Sequence, residues 1–381
     1  MSSLHFLFIT AFLGQMASGI VGITIPIYAN SLGASPFLLG VIGAAGGLIY
    51  SITPLVFGML SDRSSRKIFI VVSMAGSALS YLLYSLSQES TMLIFIKVLE
   101  SLSSAIFWPS VEAIISDSSE GKLEKALERF NISWGSAMVI GPMIGGALIS
   151  WYSLKAPFLV SIIIVVLVGS FSLLLVKELP RRTKGDVLEE LKSNDKTAVH
   201  GSLVTPLSSI LLFAFIGGII GSLFPAYAIN LGIPAYEVGL IMLVLGAARV
   251  ITFHQNKKIK GGLGRIRMFM AGSLTSFIAL FVIANSYTTF MFVTGFMILG
   301  VSSSISYASS LSYILERWRS SRGYAAGLFE SLIGAGNFSG SLVGGGISQI
   351  MLNAPYTFCW ILSLVVFFVQ LFQNRDSSQY T

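Results

Sequence analysis

Residues 22–40 read GITIPIYANSLGASPFLLG and residues 221–239 read GSLFPAYAINLGIPAYEVG. Set against each other at a gapless offset of 199 residues, they share Gly22/Gly221, Pro26/Pro225, Tyr28/Tyr227, Ala29/Ala228, Leu32/Leu231, Gly33/Gly232 and Gly40/Gly239. The same offset pairs Phe130 with Phe329, Gly135 with Gly334, Gly141 with Gly340, Gly145 with Gly344, Gly146 with Gly345, and acidic Asp117 with acidic Glu316. A register that holds without adjustment over this distance marks an internal duplication, so the chain is read as two copies of one unit.

The composition says what the unit is made of. Hydrophobic residues make up 54% of the 381 and charged residues 11%, whereas soluble domains carry about a quarter charged residues. A bilayer core is crossed by about 20 mostly apolar residues. Such runs fall at approximately 4–29, 36–60, 68–87, 91–116, 130–150 and 156–177, then at 206–230, 237–254, 267–285, 288–314, 324–350 and 355–373. The expected fold is an all-α integral membrane protein of twelve transmembrane helices, numbered here in that order. It divides into a six-helix bundle (1–177), a polar central loop (178–205), a second six-helix bundle (206–374) and a short tail (375–381). Six is even, so both copies enter the membrane in the same sense and the repeats are parallel.

Charge placement tests the count. With both termini cytoplasmic, the loops after helices 2, 4, 6, 8 and 10 together with the tail hold 21 of the 24 Lys and Arg residues, as loops on the cytoplasmic side should. Only Lys155 lies in an external loop, while Lys97 and Arg249 fall inside helices. This distribution accounts for the net charge of +7 without a basic stripe, so no nucleic acid is expected as a partner. The N-terminus lacks a basic leader before its apolar run, so the first helix is read as retained. The single Cys359 permits no intrachain disulfide. No His/Cys spacing fits a metal, no GxxxxGK[ST] loop fits a nucleotide, and no nucleophile and base are clustered. No metal, no cofactor and no catalytic residue is expected, and the chain is not read as an enzyme.

The loop between helices 2 and 3 is GMLSDRSSRK, with Gly58, Asp62, Arg63, Arg66 and Lys67. It resembles the signature cytoplasmic loop of the major facilitator superfamily, Gly-x-Leu-x-Asp-Arg-x-Gly-Arg-Lys/Arg, departing at Ser65 where the family has Gly. The resemblance extends over nearly the whole chain and points to the prokaryotic drug and sugar efflux type. It implies a gating latch in which Asp62 engages Arg66, Asp117 at the end of helix 4, and the start of helix 11 near Gly323. In the second half, HQNKKIKGGLGRIRM keeps only Arg265 as the counterpart of Arg66.

Helix 5 reads WGSAMVIGPMIGGALIS, and its Gly141, Pro142, Gly145 and Gly146 resemble a motif the family shows in antiporting exporters. Helix 11, GAGNFSGSLVGGGIS, repeats the small-residue face with Gly340 and Gly344. Small residues let helix backbones approach, and the resemblance assigns helices 2, 5, 8 and 11 to the contact between halves. Generic helix packing is the other reading of the same residues. The resemblance also assigns helices 1, 4, 7 and 10 to the wall of a central path.

Ionisable residues inside helices are expensive and mark function or pairing. Lys97 and Glu100 are three apart on helix 4 and are expected to pair, either lining the path or as a structural pair. Glu112, Arg249 and Glu330 lie about four to six residues from cytoplasmic helix ends, or roughly 6–9 Å deep. Glu330 or Glu112 is a candidate protonation site, and Arg249 a counter-ion or a ligand for a substrate anion. Gln15, Trp108, Asn230 and Tyr307, with Ser306 and Ser310, are candidates to complete the path, ordinary helix packing being the other reading of each. The expected function is secondary active transport of a small organic solute by alternating access, as proton-coupled efflux, with a facilitator or proton symporter as the alternative. The expected setting is the plasma membrane, with lipid, a small-molecule substrate and protons as partners and a monomer as the working unit.

Overall fold

The computed structural model describes residues 3–61, 66–118, 123–175, 203–263, 265–318 and 322–378. Among these residues the chain forms twelve helices and no strand: α1 (Ser3–Ser31), α2 (Pro36–Ser61), α3 (Arg66–Leu86), α4 (Met92–Ser118), α5 (Leu123–Trp151), α6 (Ala156–Leu175), α7 (Val204–Asn230), α8 (Ala235–Leu263), α9 (Arg265–Ala284), α10 (Thr289–Arg317), α11 (Arg322–Ile347) and α12 (Ala354–Ser378). They correspond one to one with the twelve apolar runs. Three differ in extent: α5 begins earlier, α8 continues to Leu263, and α12 runs to Ser378 through the expected start of the tail. Helix geometry does not stop where apolar residues stop, because intrahelical hydrogen bonds are satisfied in water as well as in lipid. Most of the expected central loop lies outside the described residues.

The repeated stretch forms a helix end, a tight turn and a helix start, twice over. Gly33 and Gly232 occupy the left-handed region with φ of 80° and 83°, a conformation that costs glycine nothing and other residues more. Pro36 then opens α2 as its first residue, where its missing N–H is no loss, and Ser35 Oγ accepts a hydrogen bond from the Leu38 N–H at 3.2 Å.

Ten of the helices, among the described residues, are long and apolar enough to cross a membrane. Glu330 and a run of Gly, Ser and Asn lower the hydropathy of α11. That helix is shielded, lying between α2 and α7. A helix covered by protein need not be as apolar as one facing lipid.

The extended contacts between the first six helices and the last six are α2 with α11, α5 with α8, α1 with α7, and α2 with α7. The other six helices pack extensively only within their own half among the described residues. Odd and even helix numbers run in opposite directions, so one face of the molecule carries both termini. The opposite one is called the far face below.

Candidate functional site

The two long seams between halves, α2 with α11 and α8 with α5, are built from corresponding residues. Near the far face, a Cβ added to Gly345 would lie 2.8 Å from Gly40 Cα and 3.0 Å from the Pro36 carbonyl oxygen. At the matching place in the other seam, a Cβ on Gly146 would lie 3.2 Å from Gly239 Cα and against the Ala235 carbonyl. Two turns deeper, Gly47 meets the Phe338 backbone, and its counterpart Gly246 meets Val139, with a Cβ placed 3.1 Å from Val139 Cα. Each contact in one seam is the other's shifted by the 199-residue offset.

The expected inter-bundle glycines need correcting at this point. Gly141 faces Met16 and Gly19 of α1, and Gly145 faces Ile20 and Ile23 of the same helix. Gly340 faces Phe215 of α7, and Gly344 faces Ile219 and Leu223. All four therefore pack within their own halves. Pro142 and Gly146 in α5 and Ser341 and Gly345 in α11 make the cross-half contact instead. One residue turns a helix by about 100°, which is enough to change the neighbouring helix.

The far face is shut. The Asn30 and Asn230 side chains, at the ends of α1 and α7, exchange amide hydrogen bonds of 2.9 and 3.3 Å across the halves. Ser150 Oγ accepts from the Tyr236 N–H at 3.0 Å, joining the end of α5 to the start of α8. The amide pair borders a small cavity of about 50 Å³, lined also by Pro36, Leu39, Leu223 and Tyr227. Asn230 thus stands at the closed rim and not along the inner path where the sequence put it.

Toward the termini the seams differ. In the α2–α11 seam Gly334 packs against the Ser51 backbone, and the Tyr50 hydroxyl donates to Glu330 Oε2 at 3.0 Å. In the α5–α8 seam the counterpart of Gly334 is Gly135, and a Cβ there would meet nothing within 4 Å. The counterpart of Tyr50 is Arg249. It stands at the midpoint of the 29-residue α8, deeper in its helix than the sequence reading placed it, because α8 continues to Leu263. Its Nε donates to Ser303 Oγ of α10 at 3.0 Å, its Nη1 lies 3.9 Å from Met138 Sδ of α5, and its guanidinium carbon sits 5.5 Å from the Phe213 ring centre of α7.

Trp108 and Tyr307 are also related by the offset, and each is half-buried at the centre of an edge-on aromatic group. Trp108 meets Phe107, Phe130 and Trp134 at centroid distances of 4.9, 6.2 and 6.3 Å. Tyr307 meets Phe213, Phe253 and Phe329 at 5.7, 5.8 and 5.0 Å. Phe130 and Phe329 are themselves a repeat pair. Sequence reasoning singled out Trp108 and Tyr307 but missed these rings around them, although the Phe130/Phe329 match was visible in the repeat.

Lys97 and Glu100 form an ion pair at 2.9 Å, and Glu100 Oε2 also accepts from the Tyr84 hydroxyl of α3 at 3.0 Å. Glu100 is 4% exposed, so this carboxylate serves the α3–α4 contact; the Lys97 chain lies over Gly46 of α2. Gln15 is half-buried on α1 with no hydrogen-bond partner among the described residues. Ser310 donates to the Pro206 carbonyl of α7 at 3.1 Å and Ser306 packs on Gly272 of α9, so both serve packing of α10. Asp62 and Arg63 lie outside the described residues, as do the side chains of Arg66, Glu112, Asp117 and Arg265 and the surroundings of Gly58 and Gly323. Lys67 stands in the first turn of α3. Among the described residues no group of His, Cys, Asp and Glu is arranged to hold a metal.

Two six-helix halves in parallel repeat, meeting along small-residue seams around an aromatic interior, define a multi-pass membrane transporter. The chain matches the Major Facilitator Superfamily over residues 7–255 and belongs to that family. It is 25% identical to multidrug resistance protein 1 of Bacillus subtilis over 94% of this chain and 93% of that one. It is 23% identical to the quinolone resistance protein NorA of Staphylococcus aureus, over 98% and 97%. Its fold superposes on the crystal structure of the nucleoside transporter NupG with a TM-score of 0.77 at 13% identity, covering 98% of this chain and 99% of that one.

Proposed function

We propose that the protein is a proton-coupled exporter of small organic solutes that works by alternating access in the cell membrane, with both termini cytoplasmic. The observation that carries this reading is the pair of matched seams. Flat contacts through Gly40, Gly47, Gly146 and Gly239 let one half rock on the other with few side chains to unlock. The halves that rock are residues 1–177 and 206–374, joined by a cytoplasmic segment at 178–205, with 375–381 as a cytoplasmic tail. A single chain holds both halves, so the monomer is the working unit. The two resistance proteins to which the chain is similar support efflux over uptake. Basic loops on the termini face support its cytoplasmic assignment, which makes the shut far face the external one and the arrangement described here inward-facing.

Glu330 is proposed as the proton carrier. It is the carboxylate that spans the seam to Tyr50, so gaining a proton changes what holds the halves together. Purified protein in liposomes, given sugars, organic acids, amino acids and amphipathic drugs, is expected to move a solute uphill only with an imposed pH gradient. Glu330→Gln is expected to keep downhill exchange and lose the uphill component. Uphill transport unimpaired in that variant removes Glu330 from coupling, and downhill transport indifferent to pH makes the protein a facilitator.

A further inference from the structure

We infer that Arg249 is the docking point for a carboxylate on the transported solute, and that the solute's aromatic body lies against the rings of Phe213 and Tyr307. The inference rests on the transport reading and adds a substrate class to it.

Two basic side chains lie within the apolar stretches of the helices, and their surroundings differ. Lys97 is compensated by Glu100 at 2.9 Å. Arg249 is joined by a serine hydroxyl, a thioether and a ring face, none of which is negative, and it has no carboxylate partner among the described residues. A guanidinium has five N–H donors; Ser303 and Met138 take up two. The remaining donors form a planar fork suited to a bidentate carboxylate. The repeat sharpens the point. In the first seam Tyr50 is answered by the acid Glu330; in the sequence the 199-residue offset aligns Glu330 with Asn131, which carries no charge.

The place is as informative as the charge. Arg249 touches α5, α7 and α10 from α8, so it sits where the second seam turns inward, on the side where Gly135 faces nothing. The ring beneath its guanidinium, Phe213, is edge-on to Tyr307 at 5.7 Å, and Tyr307 is only half-buried. A ligand that satisfies the fork and continues along these rings carries an acid on an aromatic frame.

The test uses naphthoate and its methyl ester, which share the ring and differ in charge, titrated into the full-length protein in nanodiscs. Wild-type protein is expected to bind the acid about tenfold more tightly than the ester, the scale of a charge-assisted hydrogen-bond pair. Arg249→Gln is expected to bring the ratio of the two affinities to about one, and Arg249→Lys to restore part of it. Equal wild-type affinities, no binding of the acid, or an acid preference that survives Arg249→Gln would each overturn the inference. The wild-type comparison stands even if a variant fails to fold. Exchange of the solute panel named above by wild-type protein in liposomes, over protein-free liposomes, is read separately: its presence without an acid preference sinks this inference and leaves transport standing, and its absence counts against the transport reading.

Discussion

The two seams have the same plan and different contents. From the far face inward they match contact for contact: Gly40 on Gly345 against Gly239 on Gly146, then Gly47 on Phe338 against Gly246 on Val139. The next step separates them. The α2–α11 seam stays in contact at Ser51 and Gly334 and is tied by Tyr50 and Glu330. The α5–α8 seam has an open space at Gly135 and a positive charge at Arg249. Duplication supplied a symmetric contact surface, and substitution at two related pairs of positions put a hydrogen-bonded tie on one side and an arginine on the other. Under the mechanism proposed above, the symmetric seams let the halves rock as two bodies, while the asymmetric side chains separate solute from proton.

The largest expected effect sets the compensated charge against the uncompensated one. Lys97→Met leaves Glu100 buried without its cation, and breaking a buried pair from one side costs about 3–5 kcal/mol. Arg249→Met removes a cation that has no carboxylate to abandon among the described residues, and a charge inside hydrocarbon is itself unfavourable by about 2.5–3.5 kcal/mol. Thermal unfolding of purified protein in detergent, without substrate, is expected to show a large fall for the first variant and little change or a gain for the second. Equal falls would mean that Arg249 is held by a partner as Lys97 is.

An intermediate effect distinguishes the seams themselves. Gly334→Ala pushes a methyl group into the Ser51 backbone, and overpacking of this kind costs about 1–3 kcal/mol. Gly135→Ala places the same methyl group in open space. Transport rates in liposomes are expected to fall at least several-fold for Gly334→Ala and to stay near wild type for Gly135→Ala. If Gly135→Ala is as damaging, the α5–α8 seam closes at that point during the cycle, and the asymmetry belongs to one conformation only.

How much of this was legible beforehand follows from what sequence encodes. Helix number, the turn glycines at 33 and 232 and the repeat register are local or periodic features, so apolar runs and a fixed offset carry them. The Lys97–Glu100 pair was legible because three-residue spacing on a helix is itself a distance. Which side of α5 faces the other half was not, because Gly141 and Pro142 are adjacent in sequence and about 100° apart around the axis. Small residues lie on both faces of that helix, serving α1 on one and α8 on the other. The surroundings of Arg249 come from α5, α7 and α10, and no spacing along the chain encodes a meeting of four helices. Asn230 was misplaced for a related reason: its partner is Asn30, which the 199-residue offset aligns with Ile229, so a symmetry argument overlooks a contact that departs from the register by one.

That amide pair gives the smallest expected effect and tests what keeps the far face shut. Two exposed neutral hydrogen bonds contribute on the order of 1 kcal/mol together, or about a fivefold change in an opening equilibrium. Cys359 is buried, so a cysteine placed at Leu223, buried beside the pair on the wall of the small cavity, reports opening by its rate of labelling with a membrane-impermeant maleimide added from outside. Asn30→Ala is expected to raise that rate about fivefold, Asn230→Ala to do the same, and the double variant to add little, because both residues belong to one interaction. No change in any of the three would move the closure from the amides to the glycine contacts at Gly40 and Gly345, whose backbones pack directly without side chains to lose.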